Sequence, residues 1–502
     1  MRLIYLKIYI LTLLLLLTGN SAFANSTVAV STNEAGELGD GSSDVPSISS
    51  DGRFIAFEST ATNLVSDDTN GQKDVFVYDQ VIGQITLVSV GYDGQPADRS
   101  SGNAVISADG RFIAFESTAT NLVQGDTNGM QDIFMYDREN HVISLASVNS
   151  VGELGNDNSF HPSLSADGSY LAFYSYAKNL VANDTNNVRD IFVHDVINKN
   201  TFRVSTGLAG AESNGISINP VLTPDKHFVV FSSQANNLVD NDTNGKSDIF
   251  IYDFMSDTTV RLSLAEGGVE ADDDSLEPVI SSDGRFVAFS SKATNLVLDD
   301  TNNVSDIFVA DRLNSTIERV SVTSTASGGN KASTRPSISN DGHYVIFSSG
   351  ATNLSARSLI KASYNEYDNG AQDKQVYDAI TAATQTGGGG GGTVDPIHVY
   401  IRDRQTGITT LVSRESDSPV ISGDGQYVAF SSASPYLVCN DTNDKMDVFL
   451  RSISTSVEDT LSCGETINTG SQTKGGSGMF GPLMILLGIF LFAYNFRTRR
   501  NS

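Results

Sequence analysis

The chain has few basic residues and little cysteine. Its 502 residues include 32 Lys and Arg against 59 Asp and Glu, for a formal net charge of −27. Residues 1–24 and 474–502 hold six basic and no acidic residues, so the residues between them carry −33. Phosphate binding needs a basic footprint, so this balance argues against nucleic acid as a partner. It favours solubility, or a cationic ligand or metal ions.

Enzyme signatures are missing as well. No G-x-S-x-G elbow occurs, and no second domain is expected after the repeats, which excludes the propeller-plus-hydrolase arrangement of prolyl peptidases. The sequence nominates no catalytic residue. The six histidines lack the spacing of metal ligands: His141, His161, His194, His227, His343 and His398.

What the chain does contain is one unit repeated seven times, S-x-D-G-R-F-I-A-F-x-S-x-A-T-N-L-V-x-x-D-T-N-G-x-x-D-I-F-V-Y-D. Asp424 begins the seventh copy 83 residues after the sixth, so about 25 residues are inserted in the sixth. A fixed period indicates one supersecondary unit that stacks on copies of itself. The first six copies begin 58 residues apart, at Asp51, Asp109, Asp167, Asp225, Asp283 and Asp341.

Each unit reads as four short strands. In the first copy they are residues 46–49, 53–58, 74–79 and 84–90, separated by turn residues. The second strand is apolar on both faces, so both faces are covered. No segment keeps a 3.6-residue period, so helices are largely absent. The sequence predicts an all-β, seven-bladed β-propeller of four-stranded antiparallel blades, with six blades plus an extra sheet as the alternative.

The stretch S-x-D-G-R-F-I-A-F resembles the TolB-like repeat, also called the WD40-like or PD40 repeat. The resemblance covers roughly residues 44–463 and implies a propeller, a fold that hosts many functions. The propeller should span residues 25–463, with an insertion at residues 355–395 that is either a tolerated surface loop or a binding or lid element. The expected blades lie near residues 44–91, 102–149, 160–207, 218–265, 276–323, 334–413 and 417–463.

Two segments compete to close the ring. Residues 27–31 match the fourth-strand motif at residues 86–90, although no blade precedes them. Residues 459–462 could take the same edge. The sequence leaves the choice open.

One face of the propeller should carry the functional surface. The D-T-N-G loop joins the second and third strands, and it emerges on the same side as the connection between blades. Both are acidic, so we expect negative charge to concentrate there. The acidic residues of the connections are Glu34, Glu37, Asp40, Asp44, Asp93, Asp98, Glu153, Asp157, Glu212, Glu266, Glu270, Asp272, Asp273 and Asp274.

A D-x-N-x-x-x-D pattern recurs in that loop. Oxygen ligands at positions 1, 3 and 7 are typical of the opening of a calcium loop, although the acids of an EF-hand at positions 5 and 12 are missing. In the alternative, these side chains cap backbone amides of a tight loop. The predicted calcium ligands are Asp68, Asn70, Asp74, Asp126, Asn128, Asp132, Asp184, Asn186, Asp190, Asp242, Asn244, Asp248, Asp300, Asn302, Asp306, Asp441, Asn443 and Asp447.

Both ends of the chain indicate export. Residues 1–24 form a secretory signal peptide with cleavage expected after Ala24. A Gly, Ser and Thr linker at residues 464–478 precedes an apolar span at residues 479–496, which is at the short limit for crossing a membrane. The basic tail, residues 497–502, should stay in the cytoplasm with the repeats outside.

The C-terminal tail resembles a GlyGly-CTERM sorting signal. The resemblance rests on Gly475, Gly476 and Gly478, the apolar span and the terminal arginines. It implies cleavage near the glycines by a rhomboid-type intramembrane protease and transfer to the cell surface. The alternative is a plain single-pass anchor.

The only two cysteines, Cys439 and Cys463, are expected to form a disulfide, as pairs in exported proteins commonly do. The loop it closes would contribute about 3 kcal/mol.

These observations predict a binding or scaffolding module, displayed at the envelope of a Gram-negative-type bacterium, that uses its acidic loop face. Its ligand would be a protein or a glycan. The alternative is a polysaccharide-active lyase or hydrolase whose acidic site is not recognisable in the sequence. Apart from calcium, no cofactor is expected.

Overall fold

The protein is described by a computed structural model over residues 27–355, 360–361, 396–438, 441–453 and 459–460. These residues form seven four-stranded antiparallel sheets, which confirms the seven-bladed propeller. The predicted signal peptide, both cysteines, nearly all of the insertion, the linker and the apolar span lie outside the described residues. Within them, no helix has the length and apolarity needed to cross a bilayer.

The first strand of each blade surrounds the central axis. Each first strand contacts the first strands of both neighbouring blades, and the ring closes between the seventh blade and the first. In every blade a register shift interrupts the pairing of the first strand with the second, which marks a β-bulge. The first strands are Ser43–Ile48, Ser101–Ile106, Ser159–Leu164, Ser217–Leu222, Ser275–Ile280, Ser333–Ile338 and Ser416–Ile421.

The second strands form the middle of each sheet and are mostly buried, because the neighbouring blades cover both of their faces. In the first blade, the rings of Phe57 and Phe76 stack with centroids 5.8 Å apart across the second and third strands. The second strands are Phe54–Ser59, Phe112–Ser117, Tyr170–Ser175, Phe228–Ser233, Phe286–Ser291, Tyr344–Ser349 and Tyr427–Ser432.

The third strands are equally buried and most begin and end with aspartate. The sixth blade keeps its four strands despite the insertion, with His398 replacing the first aspartate. The third strands are Asp74–Asp79, Asp132–Asp137, Asp190–Asp195, Asp248–Asp253, Asp306–Asp311, His398–Asp403 and Asp447–Ser452.

The fourth strands lie at the perimeter. In the seventh blade this strand comes from the N-terminal segment, since Thr27–Ala29 pairs with the third strand Asp447–Ser452. The fourth strands are Thr27–Ala29, Gln84–Leu87, Val142–Leu145, Asn200–Arg203, Thr258–Arg261, Thr316–Arg319 and Ile408–Ser413.

The competing C-terminal segment takes another place. Asp459–Thr460 pairs in parallel with Ile360–Lys361. The remaining short elements are a 3₁₀ turn at Leu208–Gly210 and a hairpin of Leu264–Ala265 with Val269–Glu270.

The S-x-D-G-R-F stretch locks neighbouring blades together. Asp51 accepts hydrogen bonds from the Ser49 hydroxyl and the Arg53 amide, which folds the turn. The following glycine has a positive φ, and its missing side chain makes room for an aromatic ring of the preceding blade. A Cβ atom on Gly110 would lie 2.1 Å from Phe54 Cδ2. Glycine is therefore favoured twice over, by backbone conformation and by packing. Blade 4 has Lys226 at this position, also with a positive φ of 65°.

These turns and those between the third and fourth strands form one face, called here the turn face. Around the axis the turns bond to one another, as when the Ser50 amide donates to the Ala108 carbonyl and the Asp424 amide to the Ser50 carbonyl. Beneath them lies a cavity of about 170 Å³ lined by Ile48, Ile106, Leu164, Ile338 and Ile421. Turn residues such as Ser50 and Asn340 line it as well, so the turns encircle the axis at this end.

Candidate functional site

The opposite side, called here the loop face, carries the loops between second and third strands and the connections between blades. In blade 1 these are residues 60–73 and 88–100. The two meet directly, because Asn70 Nδ2 donates to the Ala97 carbonyl oxygen at 2.9 Å.

The predicted calcium pattern is a hydrogen-bonded clamp. In blade 1, Asn70 Nδ2 also donates to Asp74 Oδ2 at 2.7 Å, and the Gln72 amide donates to Asn70 Oδ1. The second oxygen of Asp74 accepts from Ser89 Oγ at 2.6 Å. Loop, third strand and connection are thus tied together by neutral donors.

The same clamp recurs in five further blades. The asparagine of each loop is part of it, and its Oδ1 accepts from the backbone amide two residues further on. Among the described residues, no group of three or more His, Cys, Asp and Glu could hold a metal ion. The recurring pairs are Asn128 with Asp132, Asn186 with Asp190, Asn244 with Asp248, Asn302 with Asp306, and Asn443 with Asp447.

The first aspartate of the pattern behaves differently. Asp68 is 5% exposed, and neither of its carboxylate oxygens has a well-formed hydrogen bond. Burial, reinforced by the charge of Asp74, raises the pKa of Asp68 to about 6, although the Asn70 amide lowers it somewhat. Burial and a neighbouring aspartate also raise the pKa of Asp126 and that of Asp184 to about 6.

The acidic connection residues are largely structural. Asp40 accepts from the amide and the hydroxyl of Thr62 in the next loop. Asp98 with Thr120 and Asp272 with Thr294 repeat this contact. Much of the negative charge predicted for the loop face therefore holds loops in place.

A second group of polar residues lies nearer the axis, in the loop-face half of the first strands. The third residue of every first strand lies in the bulge and has a φ near +50°, a backbone conformation that residues other than glycine seldom adopt. Such backbone outliers concentrate at functional sites. This position differs in almost every blade: Val45, Asn103, His161, Asn219, Glu277, Arg335 and Ser418.

Two glutamates, the half-buried Glu58 and the buried Glu116, tie the bulges of blades 1 to 3 together. Glu58 accepts from Lys73 Nζ and from the Asn103 amide of the next blade, both at 2.9 Å. Glu116 repeats the arrangement, accepting from Gln131 Nε2 and from the amide of His161. Burial raises the pKa of Glu116 even though hydrogen bonds from the His161 amide and the Asn103 side chain oppose the shift.

Blade 3 adds an aromatic cluster. The His161 ring stacks on Tyr174 with centroids 5.5 Å apart, and Phe160 stacks on the same tyrosine at 5.3 Å. Arg189 lies over Tyr176, with its Cζ 4.8 Å from the ring centre. His161 is solvent-exposed, yet the surrounding protein atoms lower the pKa of its imidazole. The ring is therefore reached by solvent while protein atoms surround much of it.

The far side of the axis carries charges. Arg335 of blade 6 forms an ion pair with Asp417 of blade 7, and its amide donates to Glu277 of blade 5 at 2.8 Å. We call the whole set the axial mouth: Glu58, Lys73, Asn103, Glu116, Gln131, Phe160, His161, Tyr174, Tyr176, Arg189, Glu277, Arg335 and Asp417.

The axial mouth was not predicted from the sequence, although a signal for it exists. Its residues stand where the copies differ, whereas the prediction rested on what the copies share. Lys73, Gln131 and Arg189 precede the third strands of blades 1 to 3, where blades 4 and 5 have serine. One further position reads Glu58, Glu116 and Tyr174 in blades 1 to 3, but Ser232, Ser290, Ser348 and Ser431 in blades 4 to 7.

Comparison with known proteins gives likenesses of fold. The chain is similar to a putative TolB from Agrobacterium tumefaciens, with 17% identity over 55% of this chain and 79% of that one and a TM-score of 0.35. It is also similar to TolB from Acinetobacter baumannii, with 15% identity over 76% of this chain and 67% of that one and a TM-score of 0.38. A third similar structure is an oligogalacturonate lyase in complex with manganese, with 11% identity over 86% of this chain and 99% of that one and a TM-score of 0.48. No protein-family model and no curated protein matches the chain.

Proposed function

We propose that this propeller is an exported binding module that takes its ligand at the axial mouth of the loop face. The observation that carries the proposal is the break in the repeat at the axis. Seven copies share the residues that build the blades, yet blades 1 to 3 replace small serines with charged and aromatic side chains there. A frame does not need such replacements, because blades 4 to 7 fold without them.

The chemistry of the axial mouth suits a glycan best. Sugar rings present apolar faces and many hydroxyls, and they are held by aromatic rings together with polar side chains. Blade 3 supplies the rings and Arg189, while blades 1 and 2 supply Lys73 and Gln131. A protein segment is the other ligand class, and the binding experiment separates the two.

The test is a glycan array and, in parallel, a pull-down from envelope extracts with the full chain. A bound glycan should lose about 10- to 100-fold in affinity on Tyr176→Ala or Arg189→Ala, the range expected for central contact residues. Ser247→Ala, at the blade 4 position that matches Arg189, is the control and should bind normally. Equal losses in all three variants would contradict binding at the axial mouth.

The alternative is an enzyme acting on polysaccharides, and one observation favours it. Glu116 is a buried carboxyl group of raised pKa beside His161, and perturbed groups of this kind are candidates for acid-base chemistry. Against this, both oxygens of Glu116 already accept hydrogen bonds. Release of reducing ends from acidic polysaccharides, abolished by Glu116→Gln, would establish the enzyme.

Export and envelope display belong to the same proposal and rest on the ends of the sequence. We expect two forms of the protein, an anchored precursor and a mature form that ends near Gly478. Intact-mass measurement of the protein from its native envelope distinguishes them. Recovery only of chains that end at Ser502 would indicate a simple membrane anchor.

A further inference from the structure

The loop aspartates are neutralised in some blades and not in others. In blade 4, Arg261 at the end of the fourth strand places Nη1 3.0 Å from Asp242, 3.3 Å from Asp248 and 2.9 Å from Glu270. Arg203 in blade 3 contacts its two loop aspartates and a glutamate in the same way, at 3.2–3.4 Å. In blade 5, Arg319 reaches its two aspartates at 2.9 and 3.4 Å.

Blades 1, 2 and 7 lack this internal cation. The arginine position holds Leu87, Leu145 and Ala29, which pair with the same phenylalanine of the third strand. The glutamate position holds Pro96, Leu154 and Leu38. The basic and acidic partners have therefore both been replaced by apolar residues, but the two loop aspartates remain.

Asp68 shows the consequence most clearly. Its carboxylate is 5% exposed and both oxygens lack a partner, while Asp74 beside it is fully buried. A third carboxylate, Asp40, adds to the negative potential. Burying two like charges without a counter-charge lowers the stability of the folded state, and a cation bound from solution would offset that cost.

We propose that blade 1 binds a divalent cation of the hardness of Ca²⁺ between the carboxylates of Asp68 and Asp74, where blades 3 to 5 hold a guanidinium group. Water and backbone carbonyls supply the remaining oxygens. Two carboxylates give a weak site, with a dissociation constant on the order of 10⁻⁴ to 10⁻³ M, the range of extracellular calcium modules. Blades 2 and 7 also lack the fourth-strand arginine and keep the aspartate pairs Asp126 with Asp132 and Asp441 with Asp447.

This inference narrows the sequence prediction of calcium in six loops. It assigns the cation to the two carboxylates of a loop and leaves the neutral asparagine out of the ligand set. Each oxygen of Asp74 accepts one clamp hydrogen bond and keeps a lone pair for the cation. The loops of blades 3, 4 and 5 are no longer predicted to bind calcium, because an arginine side chain already contacts their aspartates. The inference does not depend on the axial mouth or its ligand.

The test counts bound calcium on the chelator-treated full chain by equilibrium dialysis at about 0.15 M salt, where diffuse binding to surface acids is screened. The wild type should bind up to three equivalents, and its melting temperature should rise with millimolar calcium. Leu87→Arg should lose one equivalent, because the new guanidinium enters the site. Thr86→Arg adds the same charge at an exposed neighbouring position and should lose none.

Two further variants keep the test decisive if Leu87→Arg fails to fold. Asp68→Asn keeps the side-chain volume and should also lose one equivalent. Arg203→Leu combined with Glu212→Pro gives blade 3 the pattern of blade 1 and should gain one. No saturable binding up to about 10 mM calcium, or a count unchanged in Leu87→Arg and in Asp68→Asn, would overturn the inference.

Discussion

Blades 1 and 4 have the same four strands and the same clamp, but they place their charged side chains at opposite ends of the sheet. Blade 4 places Arg261 and Glu270 at the perimeter and serines at the axis. Blade 1 has Leu87 at the perimeter and Glu58 with Lys73 at the axis. Both blades form the same four-stranded sheet, so the fold requires charged residues neither at the perimeter nor at the axis. Residues at both places could therefore take a role in binding.

The largest effect is expected from removing the internal cation of blade 4. Arg261→Leu leaves Asp242, Asp248 and Glu270 crowded without a counter-charge, which should cost about 3–5 kcal/mol of unfolding free energy. Denaturant unfolding in the presence of chelator measures it. Adding Glu270→Pro, which completes the blade 1 pattern, should recover part of the loss. A double variant no more stable than the single one would contradict this account of the perimeter.

The shared frame should respond identically in both blades. Gly110→Ala brings a Cβ against Phe54 of blade 1, and Gly284→Ala does the same to Phe228 of blade 4, at a position of positive φ. Strain and overpacking together should cost about 2–4 kcal/mol in each. Gly71→Ala has a positive φ but meets no atom within 4 Å, so it isolates the backbone contribution. A marked difference between the first two variants would show that the blades are not equivalent frames.

Replacing the axial glutamate of blade 1 with the serine found in blade 4 should lower the stability by a smaller amount. Glu58→Ser leaves the Asn103 amide without its partner, a loss of about 1–3 kcal/mol. Ser232→Glu in blade 4 is the reciprocal variant, and it removes the hydrogen bond that Ser232 Oγ donates to the Ile218 carbonyl. Thermal unfolding of both compares them. If Glu58→Ser were as stable as the wild type, the glutamate would be available for ligand contacts alone.

The smallest effect concerns the turn face. In blade 1, Arg53 binds Asp79 at 2.8 Å, whereas blade 4 has His227 3.4 Å from Asp253. Burial alone would raise the pKa of Asp79, but the hydrogen bonds and charge of Arg53 together with the backbone amides of Val81 and Ile82 outweigh it and lower the pKa. The pair's contribution is therefore complete above the usual aspartate pKa of about 3.9 and is lost as the pH falls through the lower folded value.

Arg53→Gln should accordingly cost about 0.2–1 kcal/mol at pH 7, and the difference from wild type should shrink below pH 4. Unfolding midpoints across this pH range provide the measurement. A difference that grew on acidification would assign the stabilisation to another group.

The sequence was sufficient for the fold because each copy repeats the same local choices. Aspartate and glycine fix the turn, and a strand apolar on both faces requires cover on both sides. It also contained the strand that closes the ring, since residues 27–31 carry the fourth-strand motif. The choice between the two candidate segments needed the structure, because it depends on Thr27 lying opposite Arg451.

The candidate site was predicted less well, for a physical reason. Spacing along the chain placed Asp68, Asn70 and Asp74 together, and the structure places Asn70 and Asp74 in direct contact. Spacing does not reveal that the asparagine donates to Ala97 of the connection, nor that Arg261 occupies the equivalent space in blade 4. Both contacts join segments about 20 or more residues apart. The calcium, disulfide and tail predictions stay predictions.

Closure of the ring has a consequence for the order of events in folding. Ser31 Oγ donates to Asp447 across a separation of 416 residues, so the last clamp joins the beginning of the propeller to its end. Contacts between distant segments form slowly. Six blades can therefore stack first, with the edge of the seventh left unpaired until Thr27–Ala29 pairs with it. In that interval the third strand of blade 7 exposes free amides and carbonyls, the kind of edge that pairs with other chains. The protein is expected to be most prone to aggregation just before the ring closes.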